Sequence, residues 1–260
     1  MFISLIRKTV FTGFLILLVF NCSTIFAQTG WYLSSSVQIS GGSYVSETYN
    51  NLYSLYGGLR YQTENFGLSI SVPVIGNHLN YSTIVNSQPL GNNQMMNSMD
   101  FGLGDLYFYT DFKLLSEASG YADLYFNTSI KFPTASSNIN LSSDEFDFGF
   151  SIALKKSFNS FIVFIDAGYL YTGNPASFNY KNPFSYGIGA GKFFSYGKYS
   201  LFIYYNGYSK ILDQYEPPQQ ISIGANYLTN SQIIFSIVAA AGIGDFTPDY
   251  TLSGGIRFRL

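Results

Sequence analysis

Eleven polar residues in the middle of the chain have the types and spacing of a possible site: Asp105, Tyr107, Tyr109, Asp111 and Lys113; Asp123, Tyr125, Asn127 and Lys131; Asp147 and Lys155. Within each run they recur at multiples of two, so in extended chain each run lies on one face. Acids and amines on facing strands can pair across a sheet and fix its register. If Ser116 to Gly120 is a tight hairpin centred on Ala118, Lys113 falls opposite Asp123 and Asp105 opposite Lys131. Pairing Lys131 with Asp147 in the next hairpin brings Asp123 opposite Lys155. Two layers follow, Lys113–Asp123–Lys155 and Asp105–Lys131–Asp147. They would act either as an internal brace, the favoured reading, or as a polar constriction that a solute must pass. In a solvated interior each pair would contribute about 1 kcal/mol or less.

Covalent and metal chemistry finds little support. A catalytic nucleophile needs a base beside it, and His78 is the sole histidine, in a long polar segment. Without His, Cys or clustered carboxylate partners it makes no metal site, so neither enzyme activity nor a cofactor is expected. Gly102-Leu-Gly-Asp105 and Gly242-Ile-Gly-Asp245 look alike, but neither precedes a helical pattern. Glycine at a strand end or bulge explains them better than a phosphate cradle does.

The elements that must position these residues are strands. Reading for period two gives about twelve, each near the ten or so residues that a tilted membrane strand requires. They are placed at Trp31–Ser40, Leu52–Gln62, Phe66–Ile75, Phe101–Leu115, Tyr121–Phe132, Phe146–Lys156, Phe161–Tyr171, Phe184–Phe194, Tyr199–Tyr208, Gln219–Leu228, Gln232–Ala241 and Asp249–Leu260. Short turns (Thr63–Asn65, Ser116–Gly120, Ser157–Ser160, Ser195–Lys198, Thr229–Ser231) alternate with longer links, the longest being Gly76–Asp100. Such alternation, with an even strand count, describes an up-and-down barrel with both termini periplasmic.

Which face meets which solvent follows from composition. Charged residues are 11% and aromatic residues 19% of 260, too few charges for an ordinary soluble surface. Phe108, Phe126 and Phe148 alternate with the acids and lysines. A charge facing lipid near the midplane costs a few kcal/mol, so the charged set should face an enclosed lumen. The opposite arrangement, a soluble sandwich or barrel with the apolar face inward, would crowd 25 Phe and 23 Tyr into one interior. Tyr53, Tyr61, Tyr171, Tyr227 and Tyr250, near strand ends, read as an interfacial girdle. A formal charge of −2 gives no basic excess for nucleic acid.

The N-terminus reads as a secretory signal over residues 1–27, leaving 28–260 as one barrel domain. Arg7 and Lys8 precede an apolar run from Val10 to Phe20, and Ala27 is a suitable residue to precede cleavage. Cys22, the only cysteine, would leave with it. The last segment, Tyr250 to Leu260, alternates throughout and resembles the C-terminal strand of a bacterial outer-membrane barrel, the segment through which the barrel-assembly machinery would be engaged. A fold of this kind is expected in the outer membrane, with lipid as its surroundings.

Several segments also resemble a known family. Gly102-Leu-Gly-Asp-Leu106, Lys131-Phe-Pro-Thr134, Asp144-Glu-Phe-Asp-Phe-Gly149, Tyr169-Leu-Tyr-Thr-Gly173 and Pro248-Asp-Tyr250 through Gly254-Gly-Ile-Arg-Phe258 are similar, in order and spacing, to the outer-membrane transporter family named after the meta-pathway of phenol degradation. Thr134-Ala135 departs from the Thr-Gly frequent there. The resemblance implies a transmembrane antiparallel β-barrel passing small hydrophobic or aromatic solutes, with the eleven residues above as candidate lumen lining. A non-transporting surface protein acting through its external loops is the alternative.

Overall fold

In the computed structural model, residues 29–42, 49–77, 100–136, 143–174, 180–213, 215–230, 232–244 and 247–260 are described. The expected signal segment with Cys22, and the greater part of the Gly76–Asp100 link with His78, lie outside them. The strands are β1 Gly30–Gly42, β2 Asn50–Gln62, β3 Phe66–Asn77, β4 Asp100–Leu103, β5 Leu106–Leu115, β6 Asp123–Phe132, β7 Asp147–Phe158, β8 Phe161–Tyr171, β9 Phe184–Phe194, β10 Tyr199–Tyr208, β11 Gln219–Asn230, β12 Ile233–Ile243 and β13 Tyr250–Arg259.

All pair antiparallel with their neighbours. β1 joins β13 and β2 joins β3, so the sheet closes on itself. β4 and β5 both pair with β3, on successive stretches of it. They are one wall strand interrupted at Gly104–Asp105, and the wall is a closed antiparallel barrel of 12 strands. This interruption is the one departure from the expected strand set. Phe101 and Leu103 face outward at odd positions, whereas beyond the break the odd Tyr107 and Tyr109 are buried and the even Leu106 and Phe108 face out. The alternation therefore changes phase by one residue there, a shift that reading one continuous strand passes over.

Polarity of the wall follows the alternation. In β7 the inward Asp147 and Ser151 are buried, while Phe148, Phe150, Ile152 and Leu154 are exposed on the outer surface. The outward face of β8 to β10 carries Phe161, Val163, Ile165, Ile188, Leu201 and Ile203, all exposed. A continuous apolar belt of this kind suits hydrocarbon, not water, and the soluble inside-out alternative is excluded by it.

The first residue of β1 pairs with the last of β2, and Arg259 of β13 pairs with Tyr32. Both ends of the barrel chain therefore lie at the rim that carries the short turns.

The lumen is filled unevenly. On the side of β8 to β12, large rings lie flat against the inner wall. Phe164 stacks on Tyr204 with centroids 5.4 Å apart. A Cβ at Gly189 would collide with the Phe164 ring, and one at Gly224 with the Phe202 ring. The inward positions of β9 and β11 are glycine there because neighbouring rings occupy the space. Phe202, Val238 and Ala240 form a buried apolar patch beside them. The side of β5 to β7 has no such filling, and it is where the charged residues project.

Candidate functional site

β6 and β7 meet in the expected register. Asp123 faces Lys155 and Lys131 faces Asp147, and the ammonium-to-carboxylate distances are 3.0 and 2.8 Å. Between β5 and β6 the register differs from expectation. Lys131 faces Tyr107, and Lys113 faces Tyr125 instead of Asp123.

The turn explains the difference. Glu117–Ser119 forms a short 3-10 turn, and Gly120 follows in the left-handed region at φ 88°. The Glu117 amide donates to Asp123 Oδ1 at 2.7 Å, which draws Asp123 into the turn. The hairpin then centres one residue later than Ala118, and every partner from Leu106 to Lys113 changes by two, with a bulge between Lys113 and Leu115 next to the turn. A two-residue change preserves the face, so the same side chains still enter the lumen.

Two distinct clusters result. The first lies toward the short turns. Lys155 reaches the Tyr125 hydroxyl at 3.1 Å and stands 5.2 Å from that ring, with Lys113 5.8 Å from it on the other side. The second lies toward the long links and is far more enclosed. Lys131, 4% exposed, contacts Asp147 at 2.8 Å, Asp105 at 3.8 Å and the Ser143 hydroxyl at 2.8 Å. Asp105, 0% exposed, sits at the wall interruption, where its Oδ1 accepts the Thr134 and Ala135 amides at 3.1 Å each.

The remaining connections tie this second cluster to the wall. Thr134 Oγ1 accepts from the Leu106 amide, and Asp147 Oδ1 accepts from the Gly173 amide at 3.0 Å. Four of the five family-like segments therefore converge on one ion-paired clasp. Their residues are accounted for by architecture: Asp105 replaces backbone partners lost at the break, and Lys131 neutralises it.

Of the eleven candidate residues, all but Asp105 and Asp123 border a luminal cavity of about 200 Å³. It extends from Glu64 and Asn65 at the short-turn rim to Tyr107, Tyr109, Asp147 and Tyr208. Tyr107 and Tyr109 are buried and stack with centroids 6.0 Å apart. Asn127 bonds across to Ser151 at 3.1 Å. Asp111 projects toward β2, and its partner there was not anticipated. Arg60 Nη2 contacts Asp111 Oδ1 at 2.6 Å while its Nη1 donates to Ser69. The signal was present in the alternation of Leu59, Arg60 and Tyr61, but the pairing spans 51 positions. Tyr204, which donates to Asp166 Oδ1 at 2.7 Å, was likewise not anticipated. Chemically the arrangement offers hydroxyls, amides and compensated charges around aromatic faces. Among the described residues no set of His, Cys, Asp and Glu is arranged to hold a metal.

Comparison with solved structures gives outer-membrane barrels. An outer-membrane channel from Pseudomonas putida F1 superposes with a TM-score of 0.68 at 14% identity, covering 89% of this chain and 96% of that one. The NanC porin gives 0.59 at 12% identity, over 88% and 100%. The translocator domain of the autotransporter NalP from Neisseria meningitidis gives 0.54 at 11%, over 98% and 96%. At such identities the likeness is one of fold. No family model matches the sequence. No curated protein matches it either.

Proposed function

We propose that this chain is a passive, porin-like channel of the bacterial outer membrane for small hydrophobic or aromatic solutes. The luminal cavity beside Tyr107, Tyr109 and Tyr125 carries this reading, because it combines flat aromatic faces with hydroxyl and ammonium groups inside an apolar-walled barrel. At about 200 Å³ it is smaller than the 300–1,000 Å³ usual for drug-sized ligands, which suits solutes of one ring. Tyr125, held between Lys113 and Lys155, and Asn127 are the proposed contacts along the path.

The same proposal takes residues 1–27 as a signal removed after Ala27 and 28–260 as the barrel, with its termini and short turns in the periplasm. It takes the terminal Phe258 and Leu260 as the segment read by the barrel-assembly machinery. Membership of the phenol-degradation meta-pathway family rests on the motif resemblance, supported by the convergence of those motifs on one clasp. No catalytic step is assigned.

A second reading has its own support. The enclosed Asp105–Lys131–Asp147 clasp lies in the lumen toward the long links, as it would in a sealed barrel that works through its external loops. Solute flux into liposomes reconstituted with the protein separates the two. A channel admits single-ring aromatic solutes well above the rate of protein-free vesicles, whereas absence of flux for every small solute tried overturns it in favour of the sealed barrel.

A further inference from the structure

The outer surface at the short-turn rim is unlike the rest of the wall. Lys192 occupies an outward position of β9, directly beside Phe161 of β8. Its ammonium stands 4.8 Å from the Phe161 ring centre and 5.2 Å from that of Phe194. Lys198, in the next turn, stands 5.9 Å from Tyr199 and 5.7 Å from Tyr227, and those two rings stack at 5.1 Å. Two cations thus alternate with four aromatic rings along the rim of β8 to β11.

Carboxylates are missing from this sector. From Ser157 to Gly244 the sequence holds three acids, Asp166, Asp213 and Glu216. Asp166 faces the lumen, bonded to Tyr204, and Asp213 and Glu216 belong to the connection between β10 and β11 at the opposite rim. The neighbouring outward lysine, Lys156, is by contrast paired with Glu117 at 3.2 Å. A lysine on a lipid-facing strand lays its stem along apolar surface and lifts its charge to the interface. Tyr199 and Tyr227, beside Lys198, are of the ring type enriched at the membrane interface.

From this we infer that Lys192 and Lys198 form a binding site for the phosphate of an anionic glycerophospholipid in the leaflet at the short-turn rim. The acyl chains would lie against Leu201, Ile188 and Ile203, exposed on the same face. The inference rests on the membrane reading of the outer wall.

Lipid retention by the full barrel tests it. Protein is reconstituted in phosphatidylcholine vesicles containing a minor fraction of phosphatidylglycerol, repurified in mild detergent, and its bound lipid counted by mass spectrometry. Phosphatidylglycerol should be enriched over its vesicle fraction. Lys192→Gln with Lys198→Gln should lower that enrichment, by about fivefold for each lysine. Lys192→Arg with Lys198→Arg should retain it, as should Lys181→Gln at the opposite rim, where Lys181 pairs with Asp213. Heat-modifiable migration on gels confirms that each variant is folded. Equal enrichment in the Gln variant overturns the site. So does displacement of the lipid by inorganic phosphate alone, or preference for lipid A over the glycerophospholipid. Failure of the protein to enter vesicles at all would instead refute the membrane reading beneath it.

Discussion

Lys131 is the residue on which the interior depends most. Its ammonium is shared by Asp147, Asp105 and Ser143 in a setting almost closed to solvent. A solvated pair would contribute about 1 kcal/mol or less, but a buried pair that loses one partner leaves an uncompensated charge, at a cost of about 3–5 kcal/mol. Lys131→Met should therefore lower unfolding stability in urea by that amount. Lys113→Met removes a cation that stands beside the Tyr125 ring and hydroxyl and within electrostatic reach of Asp123, in a more open part of the lumen, and should cost about 1 kcal/mol or less. Equal losses for the two variants would show that the clasp is no more buried than the rest of the lumen. The Asp105 carboxylate has two duties, toward Lys131 and toward the amides of Thr134 and Ala135. The family-like segments around it are thus understood as parts of a joint, and they say nothing about a solute.

At the scale of elements, the turn between β5 and β6 decides which residues face one another. Besides setting that register, it is tied to the end of β7, where Glu117 accepts from the Ser157 amide at 3.0 Å and pairs with Lys156. Partial burial acts to raise the Glu117 carboxyl, but the Ser157 amide and the Lys156 ammonium outweigh it and hold the group below the usual carboxylate range. A depressed carboxylate contributes stability above the pKa of the unfolded chain and loses it as pH falls through the folded value. The stability difference between wild type and Glu117→Gln, below about 1 kcal/mol for so exposed a pair, should be full at neutral pH. It should vanish below the ordinary carboxylate range, as read by urea titrations at each pH. β9 presents a separate steric condition. Gly189→Ala places a methyl against the Phe164 ring, and overpacking of this kind costs about 1–3 kcal/mol. A second substitution, Phe164→Leu, should recover part of the loss in the same unfolding assay. No recovery would mean that the ring is not what keeps β9 glycine-rich.

Across the whole molecule, the barrel is asymmetric about its axis. Rings pressed onto glycines fill the side of β9 to β12, while the side of β5 to β8 keeps a cavity, mainly apolar in surface and bordered by charged groups, that reaches Glu64 and Asn65. A barrel of 12 strands lies between those filled by their own side chains and those with a wide aqueous pore, so the placement of a few large residues determines how much passage remains. This asymmetry is why the proposed path follows Tyr125, Asn127 and Tyr109 and avoids the axis. The outer surface is uneven too, with the acid-free, lysine-bearing rim confined to the sector from β8 to β11.

Readable from the sequence alone were the strand bounds, to within two residues, and the alternation of short and long connections. These are local properties: a period of two and a choice of solvent for each face read directly from neighbouring residues. It took the folded barrel to show that Lys113 meets Tyr125 and not Asp123 and that Asp111 belongs to Arg60, whereas the break at Gly104–Asp105 was already written in the phase change from Phe101 and Leu103 to Leu106 and Phe108. The two pairings depend on contacts between distant strands or on one residue more in a turn. A change of two in register leaves every face unaltered and is therefore invisible in the pattern.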